Sequence, residues 1–169
     1  MKNLKNMLIL LTIATAGIST SQAQTKQEKK TAKEAAVKSQ IDAKNYTFIA
    51  NYVLPQRGSG RALTSEYDLK VTKDTVIAYL PYFGRAYFGV PYGGGGDDAG
   101  IKFTSTKFAY KAVEKKKGGW EITITPTDAK YTNQLQLYIS PDGYTSLTVR
   151  STNRDFITFD GYLKDAPKK

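Results

Sequence analysis

The chain has 169 residues and carries 25 basic and 15 acidic side chains, which give a net charge of +10 at pH 7. It contains no Cys and no His, so disulfides, zinc–thiolate centres, imidazole metal sites and Ser-His-Asp or Cys-His catalysis are excluded. An enzyme made from this chain would have to use Asp, Glu, Lys or Tyr as its acid and base.

The first 23 residues have the pattern of a cleavable secretory signal peptide. Lys2 and Lys5 form a positive n-region, residues 7–14 form a short apolar h-region, and Ser21-Gln22-Ala23 is a small–x–small cleavage site. Cleavage is therefore expected between Ala23 and Gln24. The apolar run is too short for a membrane span and no second candidate follows it, so we expect an exported protein with no transmembrane span after signal removal.

Residues 24–44 form a basic N-terminal arm that is rich in Lys and Ala and has no Gly or Pro. Helix formers occur throughout it, and Glu34 and Lys38 have the spacing and order that stabilise a helix. Its apolar stripe is thin and consists of Ala36, Val37 and Ile41. We expect a partly helical arm that docks one face near its C-terminal end. The alternative is a surface-binding basic helix, which would need larger apolar residues.

From Tyr46 onward the hydrophobic period changes to two, and turn signals recur about every ten residues. The pattern breaks phase near Ser105-Thr106, which predicts two strands or a bulge there. The apolar segments that indicate strands are 46–54, 67–71, 75–80, 101–113, 120–124, 135–139, 147–149 and 156–163. We therefore expect one β domain over residues 45–164, followed by a disordered basic tail, residues 165–169.

Eight or nine short strands joined mostly by short turns predict a mostly β fold, with a short helix before it. The strands would form an antiparallel meander, closed or nearly closed into a barrel, or two stacked sheets. The interior of a barrel of this size is either filled by side chains or open for one small ligand. The pattern alone is compatible with both.

Residues 79–92 hold six aromatic side chains, interrupted by two Pro and two Gly. Pro and Gly disfavour a long regular strand, so several rings should lie on a loop or a bulged edge. There they would stack on a small apolar or sugar-like ligand, or anchor a protein partner. The ligand-binding candidates are Tyr82, Phe83, Arg85, Tyr87 and Tyr92. In the alternative, the rings plug one end of the β core and Arg85 satisfies backbone carbonyls.

Gly93-Gly94-Gly95-Gly96-Asp97-Asp98 follows directly and favours a flexible flap over a metal site. Its spacing matches neither a calcium-binding helix–loop–helix nor a phosphate-binding loop. We predict no metal and no cofactor.

The acidic pairs Glu66/Asp68 and Asp155/Asp160 supply the carboxylates that a glycosidase needs, but nothing in the sequence places two of them across a cleft. We predict no catalytic residue and no enzymatic activity. Ser151-Thr152-Asn153-Arg154 is typical of a polar turn, in which we expect Asn153 in a left-handed conformation.

Five stretches together give the chain a resemblance to domain of unknown function 4251, a family of small exported proteins of Gram-negative gut-type bacteria. They are Leu80-Pro81-Tyr82-Phe83-Gly84-Arg85-Ala86-Tyr87, Gly100-Ile101-Lys102-Phe103, Gly118-Gly119-Trp120, Ser151-Thr152-Asn153-Arg154 and Asp160-Gly161. The resemblance covers roughly Asp42 to Leu163. It implies a barrel-like, lipocalin-like fold and a location in the periplasm, at the outer membrane or outside the cell, but no activity or site residues.

In such bacteria a short Asp-Thr-aliphatic signal marks some exported proteins for O-glycosylation. Asp74-Thr75-Val76 is similar to that signal. The resemblance therefore makes Thr75 a candidate modification site.

Two functions from different classes fit these observations. One is a non-catalytic envelope protein that binds a small apolar or sugar-like ligand at the aromatic segment. The other is a structural or protein-interaction module of the cell envelope that uses the same segment as an interface. Nucleic acid is not expected as a partner of an exported protein, and the basic surface would suit anionic lipid headgroups or acidic glycans, or be a solvated mixed-charge surface.

Overall fold

The computed structural model describes residues 20–88 and 100–164, with side chains from Lys26 onward. Most of the predicted signal peptide, Tyr92 with the glycine-rich loop after it, and the tail at 165–169 lie outside the described residues. Within these ranges one helix, α1 (Thr20–Asp42), precedes nine strands. They are β1 (Tyr46–Pro55), β2 (Arg61–Val71), β3 (Val76–Leu80), β4 (Ile101–Ser105), β5 (Phe108–Glu114), β6 (Trp120–Pro126), β7 (Thr132–Ile139), β8 (Tyr144–Ser151) and β9 (Ile157–Leu163).

The strands form one antiparallel sheet in the order β4-β3-β2-β1-β9-β8-β7-β6-β5. Because each of the eight pairings reverses the strand direction, β4 and β5 run the same way at the two edges, and only Thr106 and Lys107 separate them in the chain. They are therefore two halves of one bent strand, and the sheet curls into a nearly closed barrel. This confirms the predicted mostly β, barrel-like fold.

A carboxylate holds the chain at the bend between β4 and β5. Asp128, in the loop between β6 and β7, accepts a hydrogen bond from the Ser105 hydroxyl and others from the backbone N–H of Thr106, at 2.9 Å, and of Lys107, at 3.1 Å. The hydrogen bond from Ser105 and those from the backbone lower the pKa of Asp128. The break that the sequence predicts near Ser105-Thr106 is thus confirmed as two strands joined by a fixed corner.

The interior of the barrel is filled by side chains. Alternating residues of the strands point inward and form one hydrophobic cluster, and many of them have an exposed fraction of 0 %. A side chain with no accessible surface borders no space large enough for a water molecule. The largest of these at 0 % are Phe48, Phe159, Leu69, Ile122, Ile124, Leu135, Leu137, Ile139, Leu147 and Val53. Of the two predicted interiors, the filled one is therefore found.

Helix α1 covers one end of the barrel, which we call the helix end. Its buried residues Val37 and Ile41 join the core cluster, as the arm pattern predicts, whereas Ala36 is exposed. A methyl carbon of Val37 packs towards Gly143, whose φ of 85° and N–H donation to Ser140 O form the turn between β7 and β8.

Polar contacts fix the helix at the same end. Lys38 pairs with Glu114 at 3.4 Å, and the Gln40 side chain donates to the Lys164 carbonyl at 3.1 Å. The Tyr46 and Tyr110 hydroxyls lie 3.4 Å apart, which joins β1 to the open edge of β5. The residues of α1 before Val37 make no contribution to the hydrophobic core among the described side chains. In that described part of the chain, no helix combines the length and apolar character that crossing a membrane requires.

Candidate functional site

The opposite end of the barrel carries residues 81–88, which we call the rim segment. It begins where β3 ends, and Pro81, which has no backbone N–H, cannot extend the strand ladder. Two backbone hydrogen bonds tie it to the residues before β9, from Tyr87 N–H to Asn153 O at 2.8 Å and from Asp155 N–H to Arg85 O at 3.0 Å, and together they form an antiparallel bridge between Ala86 and Arg154. The segment is thus held across the barrel end by its backbone.

Tyr82 is the buried anchor of the rim segment. Its exposed fraction is 9 %, and its hydroxyl lies 2.8 Å from the Arg85 carbonyl and 3.0 Å from the Asp155 carbonyl, to which it donates. A Cβ on Gly84 would lie 2.7 Å from this hydroxyl, so glycine permits the close approach. Burial raises the pKa of Tyr82 to about 12.

The polar residues between β8 and β9 pack over Tyr82. The Arg154 guanidinium lies 4.6 Å above the Tyr82 ring, and burial lowers the pKa of Arg154. Asn153 has an exposed fraction of 0 %, and its side-chain amide donates to the Phe88 carbonyl at 3.1 Å. The prediction of a left-handed conformation for Asn153 is wrong. Among the described residues other than glycine, Lys44 is the one with a positive φ, so the φ of Asn153 is negative. The amide closes the turn through its side chain instead.

Asp155 is a buried carboxylate in the same cluster. Its Oδ1 accepts a hydrogen bond from the Tyr87 hydroxyl, and its Oδ2 lies 3.8 Å from Arg57 Nε. That Oδ2 is buried and has no hydrogen-bond partner among the described residues. Donation to the carboxylate raises the pKa of Tyr87. Asp155 therefore fixes the Tyr87 ring by its hydroxyl and leaves the ring faces outside.

The outer layer of the rim is aromatic and basic. Tyr87 and Phe88 have exposed fractions of 55 % and 59 %. The Arg85 guanidinium lies 5.8 Å from the Tyr87 ring centre, and Phe88 meets Tyr131 edge to face at 6.5 Å. Four guanidinium groups contact this cluster, those of Arg57, Arg61, Arg85 and Arg154. Among the described residues of the cluster, Asp155 supplies the one carboxylate. The rim thus presents exposed rings and guanidinium groups on a fixed backbone.

The structure brings together four of the five predicted ligand-binding candidates, but in different roles. Tyr82 is buried, Phe83 is half-buried with Arg61 at 4.7 Å from its ring, and Arg85 and Tyr87 are exposed. Tyr92 lies outside the described residues. The Tyr82 hydroxyl donates to the backbone carbonyls of Arg85 and Asp155. The Arg85 side chain takes no part in these bonds and lies in the outer layer.

Sequence reasoning missed Asn153, Arg154, Asp155, Arg57 and Tyr131 as members of this cluster. The polar residues directly before the last strand were the one indication in the sequence. If other residues bury them, their polar groups need hydrogen-bond partners nearby. The residues that cover it come from about 70 positions earlier, as the Tyr82–Asp155 hydrogen bond spans 73 residues. No local pattern indicates that contact.

Of the remaining candidates, all that the structure describes except Asp155 lie apart from the rim. Glu66 and Asp68 are on β2 and Asp160 is on β9, whereas Asp155 precedes β9 at the rim. The described residues contain no group of three acidic side chains placed to hold a metal ion. Thr75 is half-buried in the turn between β2 and β3, where its N–H donates to the Thr72 hydroxyl at 3.0 Å. Its modification stays a prediction that an intact mass would test.

Fold and site together define the class: a nine-stranded antiparallel barrel-shaped domain whose filled core is closed by a helix at one end and by an aromatic, arginine-rich segment at the other. The family model named Domain of unknown function (DUF4251) matches residues 28–163. The chain belongs to this family, which confirms the resemblance found in the sequence.

A crystal structure of a DUF4251 family protein from Bacteroides eggerthii DSM 20697 is similar in fold. Its TM-score is 0.57 at 16 % sequence identity, and the match covers 79 % of this chain and 88 % of that chain. At this identity the likeness extends to the fold alone. Comparison with curated proteins gives no match.

Proposed function

We propose that this protein is an exported, non-catalytic interaction module of the cell envelope, and that the rim segment is its contact surface. One observation supports the proposal: among the described residues the central inward side chains have no accessible surface, while Tyr87 and Phe88 are more than half exposed on a backbone held by hydrogen bonds. Exposed aromatic rings fixed in this way are the usual anchors of protein interfaces.

The filled core supports the interaction module over the small-ligand alternative. A lipocalin-like ligand site needs an open interior, whereas the central inward side chains of the part of the chain that the structure describes are packed together at 0 % exposure. An apolar ligand could meet only the outer rings of the rim. A partner surface, by contrast, would cover Tyr87, Phe88 and Arg85 together, and these residue types carry most of the binding energy in interfaces.

The charge of the rim supports an acidic partner. Four arginines contact the cluster, whereas Asp155 is the one acidic side chain among its described residues. The Oδ1 of Asp155 already accepts a hydrogen bond from Tyr87. Guanidinium groups beside aromatic rings pair with carboxylates and rings of a partner. Export rests on the signal-peptide pattern of the first 23 residues, and a location in the envelope is the expectation that the family resemblance adds.

Site-specific photocrosslinking in the native host tests the proposal. A photoreactive phenylalanine analogue replaces Phe88 in the rim, and a matched variant carries it at Val113, which is also exposed but lies on β5. We expect one defined envelope polypeptide crosslinked from position 88, absent from position 113 and lost when Arg85→Ala is added. Equal crosslinking from both positions, or none from position 88, would contradict the rim as an interface.

A further inference from the structure

A second surface lies on the outer face of the sheet, away from the rim. The strand register aligns Tyr52 on β1 with Asp160 on β9, Asp160 with Ser146 on β8, and Ser146 with Tyr138 on β7. Two tyrosines therefore stand at the ends of a row whose middle positions carry short polar side chains. Three strand spacings separate the tyrosines, roughly 14 Å. The row forms a groove with aromatic walls and a polar floor.

A bulge in β1 creates one wall of this groove. The register shifts between Ala50 and Tyr52, so that Asn51 is the extra residue and both Asn51 and Tyr52 are exposed. On the partner strand a Cβ at Gly161 would collide with the Ile49 carbonyl oxygen, so glycine is required for β9 to pair across the bulge. The Gly161 position and the bulge together turn Tyr52 towards the groove.

The groove continues along the sheet. Its volume is about 390 Å³, and Tyr144, which is 67 % exposed, forms part of its lining. A second hollow of about 350 Å³ shares Asn51 and Tyr144 with it, and a third of about 470 Å³ shares Tyr162 with the second. Tyr144 and Tyr162 are direct cross-strand partners. We call Tyr52, Tyr138, Tyr144 and Tyr162 the tyrosine track.

The charge of the groove narrows the ligand class. The chain carries a net charge of +10, yet Asp160 is the one charged side chain among the described residues that line the first hollow, so an anion would meet a carboxylate there without a cation beside it. The described lining of the second hollow contains Lys33 and Asp142, and that of the third contains Glu66, Asp68, Lys70 and Lys164, so the charges in each of these hollows balance. A neutral ligand is therefore favoured. Asn51, Ser146 and Asp160 line the groove and offer amide, hydroxyl and carboxylate groups for ligand hydroxyls.

We propose that the tyrosine track binds a neutral oligosaccharide chain. A sugar ring has an apolar C–H face that stacks on tyrosine and hydroxyl groups that donate to carboxylate and amide oxygens, and the groove offers both in one row. The successive hollows suit a chain of several rings, because each shares a tyrosine with the next. The site is separate from the rim and does not depend on the proposed interaction function.

Affinity electrophoresis tests this proposal. The full chain after signal removal runs towards the cathode in acidic native gels that contain one soluble neutral polysaccharide each: dextran, starch, galactomannan, xyloglucan or mixed-linkage β-glucan. We expect retardation by at least one of them. Tyr138→Ala combined with Tyr144→Ala removes two ring contacts and should weaken that binding about tenfold. Tyr144→Phe, which keeps the ring, should bind like the native chain.

The matched control is Arg85→Ala combined with Tyr87→Ala at the rim, which should be retarded like the native chain. Both replaced track tyrosines are exposed, so an unchanged thermal midpoint would show that the double variant folds; if it does not fold, Asp160→Asn and Tyr144→Ala are compared singly. Retardation by none of the five polysaccharides overturns the proposal. Retardation that track variants do not weaken, or that only dextran sulfate produces, overturns it as well.

Discussion

The two ends of the barrel are closed by different chemistry. At the helix end, Val37 and Ile41 cover the core by apolar contact, and the polar contacts of α1 lie at the surface. At the rim end, closure depends on buried polar groups: the Tyr82 hydroxyl, the Asn153 amide and the Asp155 carboxylate. Both ends seal the same cluster, but the helix end adds a partly buried hydroxyl pair, Tyr46 and Tyr110, to its apolar contacts, whereas the rim end is closed by a hydrogen-bonded network.

Covering a core by apolar contact alone costs less free energy, because a buried polar group is unfavourable unless it is hydrogen-bonded. The network at the rim fixes backbone and ring positions that a hydrophobic cap would leave adjustable. It holds two exposed residues, Tyr87 by its hydroxyl and Phe88 by its backbone carbonyl. The rim end therefore has the construction of a presented surface as well as of a barrel closure, since pre-ordered side chains lower the entropic cost of binding.

The largest effect is expected at the helix end. Ile41→Ala removes a buried side chain of the core cluster, so it should lower the free energy of unfolding by about 2–5 kcal/mol. Ser39→Ala, on the exposed side of the same helix, should change it by less than about 0.5 kcal/mol. Urea denaturation measures both. Equal small effects would mean that α1 does not cap the core.

Tyr82→Phe tests the rim end by the same measurement, the free energy of unfolding. It removes the hydroxyl that the Arg85 and Asp155 carbonyls share and leaves these groups without that donor, which should cost about 1–3 kcal/mol. Tyr138→Phe, at an exposed tyrosine of the outer face, should stay within about 0.5 kcal/mol of the native chain. A neutral Tyr82→Phe variant would show that the rim closes by apolar contact, like the helix end.

Alkaline pH should weaken the rim through the same residue. The pKa of Tyr82 is about 12 in the folded chain, against 10.0 as its ordinary value. Below pH 10 the hydroxyl is protonated in both states, and between pH 10 and 12 the unfolded chain ionises first, so stability falls as the pH rises through this window. The stability difference between native protein and Tyr82→Phe should therefore shrink from pH 9 to pH 12. A constant difference would contradict the buried, neutral Tyr82.

Burial also raises the pKa of Tyr46 at the helix end, so Tyr46→Phe should behave similarly.

The smallest effect is expected in the outer layer of the rim. Arg85→Ala removes an exposed guanidinium that contacts the Tyr87 ring, and its backbone contacts remain, so the free energy of unfolding should change by less than about 0.5 kcal/mol. Denaturation of this variant beside Tyr82→Phe separates the surface layer from the network beneath it. A loss above about 1 kcal/mol would assign Arg85 to the closure rather than to the presented surface.

Local sequence patterns predicted most of the barrel because its strands alternate inside and outside. The β3 segment alternates throughout, and the phase break near Ser105 predicted the corner that Asp128 holds. The start of β2 at Arg61 was missed, since its first residues are mostly exposed and show no alternation before Tyr67.

The sites were less accessible because they depend on register and on distant contacts. The rim joins residues 82 and 155, and the tyrosine track joins four strands through one bulge at Asn51. In the sequence, Tyr52, Tyr138, Tyr144 and Tyr162 occur singly on outward positions, where isolated aromatic residues are ordinary. Only the pairing of β1, β9, β8 and β7 brings them onto one surface.

Native mass spectrometry of the protein, purified gently from its own host, shows directly whether the rim is an interface. We expect a complex with a second polypeptide that disappears when Arg85→Ala and Tyr87→Ala are combined, while this double variant keeps the thermal midpoint of the native chain. A small-molecule adduct that is lost on replacement of Tyr82 or Arg85 would contradict it, because the rim would then be a ligand site and not an interface.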